Sequence, residues 1–259
     1  MKIARLFVVL LFVGGCKDIR TEHYENGQKK SEGNYKDGKQ HGKWTGWHEN
    51  GQKKSEGEYR DDKRDGKWTE WHENGQKSSE GDVRNGKQYG KWTFWHENGH
   101  KDLEGNYKDG KQHGKVIFFH ENGQKKAEGE YRTDKKHDKW TEWHENGKKS
   151  SEWEYRDDEP HGKVSFFHEN GQKKYEGKYR DGKQDGKWTG WYENGHKEGE
   201  GTFVNGKVHG KLTILHENGK KKAEGEWEED RPLKLACWNK DGKVVQPIPA
   251  EKMGLSCPD

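Results

Sequence analysis

Of the 259 residues, 37% are charged and only 25% hydrophobic, with a mean hydropathy of −1.60, which excludes the thick apolar core of an ordinary globular enzyme. Fifty Lys and Arg against 47 Asp and Glu leave a formal charge of +3. The two signs are interleaved rather than gathered into a basic stripe, so nucleic acid is not an expected partner. Disorder is also disfavoured, because the 13 Trp recur in register and imply a thin aromatic core shared between neighbouring segments.

Residues 1–15 read as a secretory signal. Lys2 and Arg5 form a basic start, Leu6–Val13 is an apolar run too short to span a bilayer, and Gly14-Gly15 precede Cys16. Val13-Gly-Gly-Cys16 resembles the lipobox of bacterial lipoproteins, in which the Cys becomes the acylated amino terminus. That resemblance implies a membrane anchor at Cys16, strong enough to hold because it carries several acyl chains. The expected address is the cell envelope; Lys17 after the Cys points to the outer membrane if the host is diderm. Residues 16–23 form a tether and amino-terminal cap, with Thr21-Glu-His-Tyr24 a truncated half-repeat.

From Tyr24 the chain is periodic. The residue before Glu-Asn-Gly falls at Tyr24, His48, His72, His96, His120, His144, His168, Tyr192 and His216, nine copies spaced 24 residues apart with no insertion. Such a period means stacked units, here over residues 24–230. Each unit reads as two short strands. In the first, Ser55, Gly57 and Tyr59 alternate with charged residues. The recurrent strand glycine (Gly33, Gly57, Gly81, Gly105, Gly129, Gly177, Gly201, Gly225) calls for an aromatic ring lying flat over bare backbone. A turn over Asp37–Gly42 follows, then a strand Lys43–His48 closed by Asn-Gly. The paired aromatics Trp44/Trp47, Trp68/Trp71, Trp92/Trp95, Trp140/Trp143 and Trp188/Trp191 are expected to hold the stack. Three residues separate each pair, so either a bulge re-aims one ring or both faces of the sheet carry aromatics. Val116/Phe119, Val164/Phe167 and Leu212/Leu215 substitute for the pair, which favours packing over a specific ligand contact.

The pattern Tyr/Trp-x-Glu-Asn-Gly-x-Lys-x-x-Glu-Gly-x-Tyr-x-Asp-Gly-Lys-x-x-Gly-Lys-Trp is similar to MORN repeats, and more closely to the YwqK-like variants often labelled antitoxins in bacterial genomes. The resemblance implies an all-β, elongated single-file solenoid of stacked 24-residue hairpins, on the order of 90 Å long at two strands per repeat. It implies interaction or membrane-associated scaffolding rather than one chemistry.

Departures from the repeat are informative. Asp138 stands where a turn glycine is expected, so Thr133–Asp138 should close differently. Trp153 replaces the strand glycine; it is a candidate partner contact, with drift in a tolerant repeat as the plainer reading. From Arg231 the period fails, and residues 231–259 read as a degenerate half-repeat and carboxy-terminal cap. Cys237 and Cys257 there are candidates for a disulfide in an oxidising compartment.

No catalytic constellation stands out from the repeat, and no cofactor is implied. A His ladder with about 10 Å between parallel rings does not converge on a metal as Zn ligands must. Asp37–Lys43 lacks the spacing of a phosphate loop. The expectation is a non-enzymatic, lipid-anchored scaffold for a protein partner. An envelope immunity protein neutralising a toxin is the first alternative. The second is a glycan- or choline-type module, since Trp-rich hairpins can cage cations, although the Lys-Lys after Asn-Gly departs from choline-binding repeats.

Overall fold

The computed structural model describes residues 18–245 and Cys257. The described residues form no helix; their regular structure is antiparallel β. They divide into two compact units, ending and beginning at Lys87 and Gln88. The first unit holds β1 (Asp18–His23), β2 (Lys29–Lys36), β3 (Lys39–Trp47), β4 (Lys53–Arg60), β5 (Lys63–Trp71) and β6 (Lys77–Arg84), each paired with the next in sequence.

At the boundary starts β7 (Lys87–Trp95). The second unit continues with β8 (Lys101–Lys108), β9 (Lys111–Phe119), β10 (Lys125–Arg132), β11 (Lys135–Trp143) and β12 (Lys149–Arg156). Next come β13 (Glu159–Pro160) and β14 (Gly162–Phe167), separated by His161 alone, β15 (Lys173–Arg180), then β16 (Lys183–Gln184) and β17 (Gly186–Trp191), separated by Asp185 alone, and β18 (Lys197–Val204). The unit finishes with β19 (Lys207–Leu215), β20 (Lys221–Glu228), β21 (Arg231–Trp238) and β22 (Val244–Val245). Its strands also form a meander of antiparallel neighbours. Each unit is thus a single file of hairpins with no second layer.

Two kinds of turn alternate. At Asp37-Gly38 both residues have positive φ, 52° and 79°, which is the two-residue turn whose twist matches the flanking strands. The strand resumes at once at Lys39, so the expected turn over Asp37–Gly42 is shorter than the sequence suggested. Gly42, at φ 78°, is instead where the β2–β3 register slips. The other turn, Glu49-Asn50-Gly51, leaves only Gly51 with positive φ; His48 accepts from the Gly51 N–H, and its own N–H donates to the Gln52 carbonyl. Asn50 serves by side chain, its Oδ1 accepting from the Gln52 N–H at 3.0 Å.

Asp138 overturns one expectation. It adopts φ 57°, the conformation of Gly42, so Thr133–Asp138 closes as its counterparts do. The reason is that Asp tolerates the left-handed region better than most residues with a Cβ. Past Arg231 the repeat geometry also persists, one residue short: Asn239 and Gly242 make the same turn hydrogen bonds as His48 and Gly51.

Candidate binding faces

Several hairpins place an indole on a glycine. A methyl group on Gly33, Gly57, Gly129 or Gly177 would overlap the indole of Trp44, Trp68, Trp140 or Trp188 on the partner strand. Gly is therefore required by close approach, at the expense of strand propensity. The indole is then gripped from the sides. Tyr35, Trp44, Tyr59 and Trp68 meet in succession edge to face, with centroids 5.5, 5.6 and 5.2 Å apart. Tyr131–Trp140 and Tyr179–Trp188 repeat the contact at 5.1 and 5.5 Å. Such pairs contribute about 0.5–1.5 kcal/mol beyond burial. Trp140 is 1% exposed, and the indole N–H of Trp44, Trp68 and Trp140 donates to the carbonyl ten residues earlier.

The second ring of each pair faces the other way. The register slip between Gly46 and Trp47 lies on the partner strand, where Lys54 is the extra residue, so β3 keeps its alternation and both faces carry aromatics. Trp47, Trp71, Trp143 and Trp191 are half-buried beneath the ammonium groups of Lys29, Lys53, Lys125 and Lys173, 5.5–5.8 Å from the ring centre. On this face later repeats also hold a glutamate between two lysines, such as Glu56 between Lys43 and Lys53 at 3.5 and 2.7 Å. Hydrogen bonds from those lysines pull the carboxylates below their ordinary range. Glu200, held by Lys187 first and Lys197 second, falls to about 2.

The recurrent histidines have a use that the sequence did not disclose. His48 Nε2 lies 2.9 Å from the Trp71 carbonyl, and His120, His144, His168 and His216 make the same contact one repeat on, at 2.9, 3.2, 2.8 and 3.0 Å. Tyr24 and Tyr192 donate their hydroxyls to the equivalent carbonyls of Trp47 and Leu215 at 2.8 and 2.6 Å. That explains why Tyr alone substitutes for His there. Beside them, Asn50 and Asn122 donate to the carbonyls of Glu73 and Glu145, at 2.7 and 2.8 Å. These side chains stitch each repeat to the next along one edge of the hairpins. The other edge is stitched by the turns: the Asp62 and Asp134 carboxylates accept from the N–H of Gln40 and Gln112, at 2.8 and 2.7 Å.

Matches to a family model described as "MORN repeat variant" fall at residues 19–37, 40–61, 64–85, 88–109, 112–132, 139–157, 160–181 and 184–205. The chain belongs to the MORN repeat variant family. Eight MORN repeats are matched, while the hairpin β19–β20 has the same geometry beyond them. A search of curated proteins finds no match. Among solved structures, chains titled "Crystal Structure of TcdB2-TccC3" and "Crystal Structure of TcdB2-TccC3-Cdc42" align at 10% and 9% identity with TM-scores of 0.21 and 0.20. The alignments cover 90% and 87% of this chain but only 17% and 16% of those chains, and at these scores they carry no argument about this one.

The irregular MORN repeat follows the same ring rule in reverse. Ser151 faces Phe166 and Glu152 faces Ser165, which brings Trp153 to the level of Val164: the ring has moved to the first strand, and a small residue stands where the Trp is expected. Trp153 is half-buried against Phe166 and Tyr179 at 5.0 and 5.7 Å, with its N–H donating to Ser151 Oγ at 2.9 Å, and Val164 is 1% exposed. The candidate partner contact therefore sits inside the aromatic ladder. In the Trp140 repeat, burial and then the charge of Glu142 push the Tyr155 phenol up to about 12.

Cys237 and Cys257 are disulfide-bonded, with Cα atoms 5.8 Å apart. Cys16 and residues 1–15 lie outside the described residues. Among the described residues no group of three or more His, Cys, Asp or Glu could hold a metal ion, and no helix is long and apolar enough to cross a membrane.

Proposed function

We propose that this MORN repeat chain is a non-enzymatic scaffold, anchored at the bacterial envelope through acylated Cys16, that binds a protein partner along its hairpin faces. The observation that carries the reading is the engagement of the histidines and glutamates that recur with the repeat. The repeat histidines are bonded to backbone carbonyls of the next repeat, and the repeat glutamates are clamped by lysines. An active site needs a base or nucleophile free to meet a substrate. What these faces offer instead is a row of rings and charges repeated with the hairpins, suited to broad contact.

The test separates anchor from binding. In the native cell, the wild-type chain should fractionate with membranes and carry an acylated Cys16 in mass spectrometry, while Cys16→Ala is released. In-cell cross-linking should join both forms to the same partner when they share a compartment. A non-acylated chain would sink the anchor, and a chain that cross-links to no protein would sink the scaffold.

A further inference from the structure

A groove of 440 Å³ opens on the ring face of the second unit between Tyr175 and Ile214. Its origin is a local loss of side chains. The row of facing residues that holds Phe94 opposite Leu103, and Phe166 opposite Tyr175, holds Gly190 opposite Gly199 here. Leu212 also replaces a Trp one repeat on. The walls are therefore rings, chiefly Tyr175, Tyr179 and Phe203, with Tyr175 39% exposed.

Two glutamates border the groove, and they differ: the Glu200 side chain belongs to the opposite, lysine-bearing face. Glu200 is matched by Lys187 and Lys197, each at 2.8 Å. Glu198 forms no ion pair or side-chain hydrogen bond among the described residues. A methyl group on Gly190 would lie 3.3 Å from Glu198 Oε2 and 3.1 Å from the Tyr175 ring, so the carboxylate reaches over bare backbone beside an open aromatic wall. Its charge adds to burial in raising the Tyr175 phenol.

We infer that this groove receives a Lys or Arg side chain of the protein partner, its cationic head on Glu198 and its aliphatic stem along Tyr175 and the neighbouring rings. An apolar trough with one unmatched carboxylate complements an amphipathic cation: the stem buries apolar surface, the head gains a charge-assisted hydrogen bond, and the rings add cation–π attraction. A neutral apolar residue would leave the carboxylate without a partner, and an acidic one would be repelled. The inference rests on the scaffold reading only for the origin of the side chain.

The experiment titrates the full chain, labelled with 15N, with the peptide acetyl-Ala-Leu-Arg-Leu-Ala-amide and with its neutral citrulline counterpart. The Arg peptide should shift the amides of Gly190, Gly199 and Gly201 saturably and bind about tenfold or more tightly than the citrulline peptide. Glu198→Gln should abolish that preference, while Glu224→Gln, at a glutamate held by Lys211 and Lys221 outside the groove, keeps it. Equal affinity for the two peptides, or a preference surviving Glu198→Gln, would overturn the inference. A native partner that cross-links elsewhere and is indifferent to Glu198→Gln would also overturn it while leaving the scaffold intact; the absence of any protein partner would remove the scaffold itself.

Discussion

A methyl group at Gly129 would overlap the Trp140 indole, whereas one at Gly105 would meet a Val116 methyl at 3.3 Å. The two glycines occupy the same repeat position, so the matched changes isolate the ring. Gly129→Ala should lose about 2 kcal/mol in denaturant unfolding, and Gly105→Ala should stay within about 1 kcal/mol, because overpacking a filled site is unfavourable and Ala suits a strand better than Gly. Equal effects would mean that the ring does not set the requirement for glycine. The edge histidine offers a second residue-scale test. His120→Phe removes the contact of Nε2 with the Trp143 carbonyl and should lose about 1 kcal/mol, while His120→Tyr, which can donate as Tyr192 does, should stay within a few tenths. The glycine–ring contact was readable in the sequence, since glycine weakens a strand and recurs there only where something must approach the backbone closely. The stitching role of His and Asn was not, because their acceptors are backbone carbonyls one repeat away and leave no trace in residue type.

At the scale of the element, the two-residue turns come in two chemistries. Asp37-Gly38 has glycine where positive φ is free, whereas Thr133-Asp134 holds two non-glycine residues at φ 54° and 65°. The Asp is compensated by accepting from the Gln112 N–H; the β-branched Thr has no such return. Thr133→Asn should therefore stabilise the protein by about 0.5–1 kcal/mol, as Asn tolerates the left-handed region. A melting temperature unchanged or lowered would contradict the strain at Thr133. The same tolerance is why Asp138 does not break its turn: residue type suggests a lost glycine, but the backbone needs only a residue able to take positive φ. The Asn-Gly pair misleads in the opposite sense, since its local pattern fits a two-residue turn while the structure uses the Asn by its side chain.

In each unit, a thin sheet of hairpins carries a charged face. The repeat glutamates between lysines have carboxyl groups lowered by those lysines, Glu200 to about 2. In the unfolded chain the same groups take up protons first as pH falls, so acid favours unfolding. Stability should be level above about pH 5 and decline from there through the lowered folded values, with high salt flattening the curve. A decline already complete by about pH 6 would contradict this account of the charged face. The period of 24 residues made the repeated hairpins legible at once, because one unit cannot bury its rings alone. The groove at Gly190 and Gly199 was not, since an absent side chain is visible only when its neighbours are in place. The rule that joins these scales is one large apolar side chain per hairpin, most often a ring, seated on a partner with little or no side chain. Trp153 and Val164 reverse it, so a double-mutant cycle there tests it most directly. Trp153→Gly should leave a cavity and Val164→Trp should overpack, each losing about 2–4 kcal/mol, whereas the double variant recreates the Gly–Trp arrangement and should recover most of the loss. Losses that simply add in the double variant would contradict the rule.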